Sequence, residues 1–147
     1  MTLGRFGGVY AALHAGQCVG DVWTQTDWCA RTKGNPGADG RRACTIHVAT
    51  LTATQATFLG LAVAATGEQL SIRRTLLGLT LNAASHYAMD RRDHGVMPLL
   101  TKAMSRWGKD KFAALGQPPL ATGAAALDKA WHIGWCAIAA AIITGRN

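Results

Sequence analysis

The chain has 147 residues, a length that fits one domain, so residues 1–147 are expected to form a single unit without an internal linker. Hydrophobic residues make up 49% and charged residues 16%, which excludes a polar, disordered chain. The net charge of +7 suits nucleic acid, an anionic membrane surface or the basic loops of a membrane protein, and the positions of the charges decide between these.

Four segments that lack Asp, Glu, Lys and Arg predict four helices. They run from Phe6 to Gly20, from Thr45 to Gly67, from Thr75 to Met89 and from Ala130 to Gly145. Only the second exceeds the roughly 18 uncharged residues expected of a helix that crosses a bilayer. The others approach that length if Asp21, Asp90 and Asp128 lie inside the helices and face the bundle interior. The sequence therefore predicts an all-α integral membrane protein, an up-and-down bundle of four helices.

The connecting segments are rich in charge, Gly and Pro, which predicts loops. The first reads TDWCARTKGNPGADGRR, and the third runs from Arg91 to about Gly123. Within the third, MPLLTKAMSRWGKDKFAAL places apolar side chains on one helical face and basic ones elsewhere. This pattern predicts a short amphipathic helix on the membrane surface between helices three and four.

The basic residues are distributed unequally between the two ends of the predicted bundle. Eleven of the 15 Lys and Arg residues lie in or near the first and third loops, and the other four are Arg5, Arg73, Arg74 and Arg146. By the positive-inside rule the first and third loops face the cytoplasm and both termini face outward. Because the charge lies in loops and not along one helix face, a soluble nucleic-acid-binding domain is the remoter alternative.

The four cysteines show no spacing that is typical of a metal or disulfide framework. Cys18, Cys29, Cys44 and Cys136 form no CxxC pair and have no His partner at zinc-finger spacing. We expect reduced thiols, most of them packed in the interior.

An up-and-down order brings the C-terminal ends of helices one and three beside the N-terminal ends of helices two and four. Those ends carry Asp21 and Gln25 on helix one, His47 on helix two, His86 and Asp90 on helix three, and Asp128 and His132 on helix four. All three pairs are spaced i and i+4, which places both side chains of a pair on one face. The sequence therefore predicts an Asp, His and Gln cluster at the cytoplasmic end.

Carboxylates and imidazoles are costly in a low-dielectric interior unless they pair or bind an ion. Imidazole nitrogen and carboxylate oxygen suit Zn, Mn or Fe, and a bound metal can activate water for hydrolysis. The first hypothesis is a divalent metal bound by Asp21, His86, Asp90, Asp128 and His132, with His47, Asp21 and Gln25 in catalytic roles. A lipid or lipid-linked phosphate suits a site at that depth beside a basic surface.

Two alternatives stay open for the same cluster. The first is a non-enzymatic structural or interaction protein in the membrane, whose Asp and His side chains only hydrogen-bond the helices together. The second is a small proton or ion pathway. Gly16 and Gly20 form a small-residue pair that can pack helices within or between chains, so a homo-oligomer is also considered.

Over most of its length the chain resembles an uncharacterised family of small bacterial membrane proteins, notably an actinobacterial branch, through GDVWTQTDW, CTIHVATLTATQA, SHYAMDRR and ATGAAALDKAWHIGW. The family pattern is His-x-x-x-Asp-x-x-x-Gln on helix one, a His opening helix two, His-x-x-x-Asp closing helix three and Asp-x-x-x-His opening helix four. The matching positions are Asp21, Gln25, His47, His86, Asp90, Asp128 and His132.

The family is similar to proteins described as inner-membrane metal-dependent hydrolases, so the resemblance implies a location in the bacterial inner membrane. One position departs from the pattern, because Gln17 stands where the family has its first His, and His14 lies about one turn earlier. Since Gln is a poor metal ligand, either His14 substitutes for the missing His or the inner part of the site has changed.

Overall fold

The computed structural model describes residues 2–109, 111–117 and 121–145, and Arg146 of the charge count lies outside them. Six α-helices dominate: α1 (Leu3–Val22), α2 (Asp27–Thr32), α3 (Gly37–Thr66), α4 (Ile72–Asp90), α5 (Met97–Ser105) and α6 (Gly123–Thr144). Short 3₁₀ turns cover Arg92–His94 and Phe112–Ala114, and Gly116–Gln117 pairs antiparallel with Ala121–Thr122. The prediction of an all-α protein is confirmed apart from this minimal pairing.

Hydroxyl side chains set the starts of four helices. Thr2, Thr26, Ser71 and Thr122 each accept a hydrogen bond from the backbone N–H three residues ahead, which satisfies one of the free donors of a first turn. The long helix α3 ends at Gly67, whose φ of 67° is the left-handed conformation that closes many helices. These caps fix where the chain leaves one helix for the next.

The four long helices form the bundle. α1 packs against α3 and α6, and α4 packs against the same two helices. Gly16 lies against Gln55 and Gly20 against Leu51, so α1 and α3 run antiparallel. The up-and-down order predicted from the sequence thus brings the ends of α1 and α4 beside the starts of α3 and α6.

The first loop prediction is wrong in part. α3 begins at Gly37 and not at Thr45, and the preceding segment contains α2. Arg41 and Arg42 lie exposed on the first turns of α3, because a helix can extend past its apolar part into a charged region. The expected amphipathic helix is α5, but it ends at Ser105 and so covers only the first half of the predicted segment.

Two helices, and not four, are long and apolar enough to cross a membrane. Within the described residues these are α3 and α6, with mean hydropathies of 1.5 and 1.2. The prediction of four spanning helices is therefore wrong by this criterion. α4 begins with Arg73 and Arg74 and carries Asn82 farther on, while His14 and Gln17 interrupt the apolar residues of α1. Only 22% of the apolar window of α3 and 28% of that of α6 is buried, so neither is a buried core helix.

The half of the bundle away from the predicted cluster has an apolar interior. Its buried residues are Val9, Ala12, Leu13, Leu59, Leu79, Cys136, Ala139, Ala140 and Ile143. The cysteines are free, and all except the exposed Cys18 are buried, as the sequence predicts for most of them.

A polar contact crosses the middle of the bundle. The Nε2 of Gln55 donates to the carbonyl oxygen of Leu13 at 3.2 Å, and its Oε1 accepts from Asn82 Nδ2 at 2.9 Å. Next to it, a Cβ on Gly16 would lie 2.6 Å from the Cα of Gln55, so only glycine permits this approach of α1 to α3. The Gly16 and Gly20 pair therefore packs helices within the chain.

Candidate metal centre

Three ligand atoms meet at the shared end of the bundle. His47 Nε2, His86 Nε2 and Asp90 Oδ2 form a triangle in which each pair of atoms is 3.1 Å apart. His47 comes from α3, and the i, i+4 pair of His86 and Asp90 comes from the last turns of α4. All three side chains are at most 2% exposed, so their polar atoms face one another and not water.

Asp21 reaches this triangle from the end of α1. Its Oδ1 lies 3.2 Å from His47 Nε2 and 4.0 Å from His86 Nε2. Its Oδ2 accepts a hydrogen bond from Gln17 Nε2 at 3.3 Å. The Asp21 side chain is 29% exposed, so it lies at the edge of the cluster and is open to solvent.

His132 and Asp128 approach from the first turns of α6. His132 Nε2 lies 3.4 Å from Asp128 Oδ1 and 3.8 Å from Asp90 Oδ1. The ring of His132 stacks on that of His86, with centroids 3.8 Å apart and an interplanar angle of 17°. The structure thus brings together six of the seven residues that the sequence singled out.

The imidazole rings make their polar contacts on one side only. The Nδ1 atoms of His47, His86 and His132 are buried without a hydrogen-bond partner in the part of the chain that the structure describes. Buried polar atoms normally have partners, so this is an unusual arrangement. The carboxylates instead converge on the Nε2 atoms of these rings, so the electrostatic contacts of the three imidazoles are made at Nε2.

Lys33 is a member of the cluster that the sequence did not reveal. Its Nζ lies 2.9 Å from Asp90 Oδ2 and 3.9 Å from Asp21 Oδ1. Arg91 holds the segment in place, since its Nη1 donates to the carbonyl oxygen of Lys33 at 2.6 Å. Both residues are buried, at 8% and 6% exposure, although their sequence positions place them only among the basic residues in or near the loops. No local pattern separates them from the other basic residues of these loops.

Other residues of interest lie outside the cluster. α1 ends at Val22, so Gln25 follows the helix, and its Nε2 donates to the backbone oxygen of Asp21 at 3.2 Å. His14 stacks on Tyr10, with ring centroids 5.8 Å apart, and its Nε2 lies 3.8 Å from Cys18 Sγ. The contacts of His14 are thus with Tyr10 and Cys18, whereas Gln17 contacts the cluster through Asp21.

A cleft of about 300 Å³ leads from the protein surface to the cluster. It is lined by Lys33, Asp90, Arg92, Asp93, Met97, Thr122, Ala124, Ala125 and Asp128. Met97 begins α5, so the amphipathic helix forms one edge of the opening. A small or extended ligand entering this cleft would meet Asp90 and Asp128 from the side opposite the apolar half of the bundle.

Comparisons with protein-family models, with curated proteins and with solved structures find no match for this chain. The functional conclusion therefore rests on the geometry of the cluster. Two sets of three side chains could each hold a metal ion, one made of Asp21, His47 and His86 and the other of His86, Asp90 and His132. His86 belongs to both sets, so the two potential sites are immediate neighbours.

Proposed function

We propose that the chain is a membrane-embedded, metal-dependent hydrolase whose divalent ion is bound by His47 Nε2, His86 Nε2 and Asp90 Oδ2. The observation that carries this proposal is the triangle of these atoms, with edges of 3.1 Å. The three atoms are close enough together for one divalent ion to be bound by all of them. Two imidazole nitrogens and one carboxylate oxygen are the donor set of two-His, one-carboxylate sites, which would leave positions open for water.

Asp21 is suited to act as the general base of this site. A metal-bound water has a lowered pKa, and a carboxylate at the open side of the ion can accept its proton. Asp21 Oδ1 is within 3.2 Å of His47 Nε2 but belongs to a partly exposed side chain, whereas Asp90 is fully enclosed. Gln17 donates to the other oxygen of Asp21 and so orients the carboxylate.

The cleft favours a phosphate ester at the membrane surface as substrate. Its walls carry two cations, Lys33 and Arg92, and three carboxylates, so a bound divalent ion would supply the remaining attraction for phosphate. Met97 of α5 contributes an apolar edge. A divalent ion held here would lower the pKa of a nearby water, and Asp21 would take a proton from that water. The water oxygen would bond to phosphorus as the ester P–O bond breaks, and the departing alkoxide would take the proton back from Asp21, directly or through water, to give the alcohol. A lipid or lipid-linked phosphate fits a cleft bordered by an amphipathic helix.

The membrane location is supported by the apolar surface of the bundle. Leu61 on α3 and Leu76 and Leu77 on α4 are 61%, 61% and 50% exposed, and they lie in the half away from the cluster. α3 and α6 are long and apolar enough to span a bilayer, and most of each apolar window is exposed. Lipid contact would cover this surface, which would otherwise face water. The family resemblance adds the expectation of a bacterial inner membrane.

Metal analysis tests the site directly. Detergent-purified protein is dialysed against a weak chelator, and its Zn, Mn and Fe contents are measured beside those of His86→Ala. His94→Ala is the matched control, since His94 is an exposed histidine in the turn after α4. We expect metal in the wild type and in His94→Ala but not in His86→Ala. Absence of metal from all three after reconstitution with each ion would overturn the proposal.

A second assay separates metal binding from hydrolysis. Phosphate release is measured from phosphatidic acid in mixed micelles, with wild type and Asp21→Asn loaded with the same metal. If Asp21 is the base, Asp21→Asn keeps its metal but loses at least about 100-fold in rate, the usual lower range for general-base catalysis. Equal rates in the two proteins would remove Asp21 from the mechanism.

One observation favours a second, non-enzymatic function. The ammonium group of Lys33 already neutralises part of the charge of Asp90 and Asp21, at 2.9 and 3.9 Å. A cluster held together in this way could fix the packing of the bundle without any ion. This alternative predicts that added Mn²⁺ or Zn²⁺ leaves the thermal stability unchanged, whereas the hydrolase proposal predicts a rise that depends on metal concentration.

The ion-pathway alternative finds no support in the described part of the chain. An ion that leaves the cluster toward the opposite end would meet the uncharged Gln55 and Asn82 in the middle of the bundle. Beyond them it would meet the buried, apolar Leu13, Leu59 and Ile143. Ionisable side chains that line a continuous route are the usual mark of a transmembrane pathway.

A further inference from the structure

The two oxygens of Asp90 face different imidazoles. Oδ2 lies 3.1 Å from both His47 Nε2 and His86 Nε2, while Oδ1 lies on the side of His132, 3.8 Å from its Nε2. A carboxylate with one oxygen on each side can bind two ions at once. The proposed function uses only Oδ2.

His132 has a buried ring with no established partner. It is 3% exposed, and neither Nδ1 nor Nε2 makes a hydrogen bond of good geometry in the described residues. Its Nε2 is nevertheless directed between Asp90 Oδ1 at 3.8 Å and Asp128 Oδ1 at 3.4 Å. A nitrogen and an oxygen that each lie about 2.1 Å from one ion are about 3.0–3.4 Å apart. Small side-chain adjustments would therefore bring His132 Nε2, Asp90 Oδ1 and Asp128 Oδ1 close enough together to bind one cation.

We infer that the cluster binds two divalent metal ions, with Asp90 bridging them and Asp128 and His132 completing the second site. This inference rests on the proposed function, which supplies the first ion at His47, His86 and Asp90. The parallel rings of His86 and His132 are 3.8 Å apart, so each can present its Nε2 to a different ion.

The second ion narrows the substrate class to phosphate monoesters. With neutral imidazoles, the carboxylates of Asp21, Asp90 and Asp128 outnumber the Lys33 ammonium, and the first divalent ion offsets the excess negative charge. The second ion would then make the site net positive, which favours a dianionic phosphate monoester over a singly charged phosphodiester or a neutral ester. It lies on the cleft side, because Asp128 lines the cleft and its side chain is 35% exposed. Ions held by these residues would supply activation of the attacking water and stabilisation of the departing oxygen.

Mn²⁺ titration of the metal-free protein in detergent tests this inference. Bound Mn²⁺ is counted by equilibrium dialysis and elemental analysis, and low-temperature electron paramagnetic resonance detects coupling between two neighbouring ions. The variants are Asp128→Asn and His132→Ala. Asp93→Asn is the matched control, because Asp93 lines the same cleft but is exposed and lies outside the proposed ligand set. Circular dichroism confirms that each protein is folded.

We expect two Mn²⁺ ions per chain and a coupled spectrum for the wild type and Asp93→Asn. Asp128→Asn and His132→Ala should each retain one ion and lose the coupling. One ion in the wild type would overturn the second site but leave the proposed function standing, whereas no bound ion would overturn both. Two ions that persist in both variants would overturn the assignment of Asp128 and His132.

Discussion

The ammonium group of Lys33 lies 2.9 Å from Asp90 Oδ2, although the two residues are 57 positions apart in the chain. Lys33 follows α2, and the backbone at this residue is held by Arg91, which directly follows the last residue of α4. The contact therefore couples the segment that precedes α3 to the end of α4. It also places a cation beside an oxygen that we propose as a metal ligand.

Lys33→Met should bind metal more tightly than the wild type. A unit charge about 4 Å from a divalent ion costs about 2 kcal/mol even in a water-like dielectric, so its removal should strengthen Mn²⁺ binding at least about tenfold. The measurement is Mn²⁺ titration in detergent, with Lys102→Met as control because Lys102 is exposed on α5. Weaker binding by Lys33→Met would mean that the lysine holds the ligands in place.

Asp90→Asn should destabilise the metal-free protein. The substitution removes the negative charge shared by Lys33 and the imidazoles, and breaking a buried ion pair typically costs about 3–5 kcal/mol. Asp27→Asn is the comparison, because Asp27 pairs with Arg31 at 3.6 Å but has a side chain that is 92% exposed. Such an exposed pair contributes about 0–1 kcal/mol. Thermal unfolding in detergent without metal measures the loss of stability in each variant, and equal losses in Asp90→Asn and Asp27→Asn would contradict the prediction.

Gly16→Ala should separate α1 from α3. The added Cβ would lie 2.6 Å from the Cα of Gln55, a backbone atom that cannot move alone, so we expect a loss of about 1–3 kcal/mol. Gly60→Ala is the control, since a Cβ at Gly60 on α3 meets no atom within 4 Å. At Gly60 the higher helix propensity of Ala should raise the free energy of unfolding by about 0.5–1 kcal/mol. The two free energies of unfolding should therefore change in opposite directions.

Surface labelling tests the predicted orientation in the membrane. Ser71→Cys and Ser105→Cys, each in a Cys18→Ser background, place single exposed thiols before α4 and at the end of α5. By the positive-inside rule, a membrane-impermeant maleimide added to intact cells should label Ser71→Cys, but Ser105→Cys only after permeabilisation. The reverse pattern would invert the orientation, and labelling of both in intact cells would contradict a spanning bundle.

Local spacing was sufficient to predict the candidate ligands. The pairs His86 with Asp90 and Asp128 with His132 are each four residues apart on one helix, and helical geometry alone places them on a common face. His47 required the additional assumption of antiparallel helices, which the contacts of Gly16 and Gly20 with α3 confirm. The proposed roles of these residues stay predictions.

The parts that sequence reasoning missed depend on contacts between distant segments. Lys33 and Arg91 have the sequence surroundings of solvated cations, and only the folded chain buries them against Asp90 and the backbone. The uncharged segment predicts a start at Thr45, later than the actual start of α3 at Gly37, because a helix can continue through charged residues. The end of an apolar segment shows where a helix leaves an apolar environment. The backbone hydrogen bonds of the helix can continue beyond that point.

The apolar packing of Leu13, Leu59 and Ile143 closes the half of the bundle away from the cluster. Among the described residues, the cleft and the exposed edge of Asp21 both open at the other end. An ion that reaches Asp90 from that end must also leave from it, so the site exchanges ions with the compartment on one side of the membrane only. The orientation of the chain in the membrane would then decide which pool of metal ions loads it. If the cleft opens to the cytoplasm, the competition between manganese, iron and zinc would follow the availability of free ions there, because selectivity by affinity alone is weak.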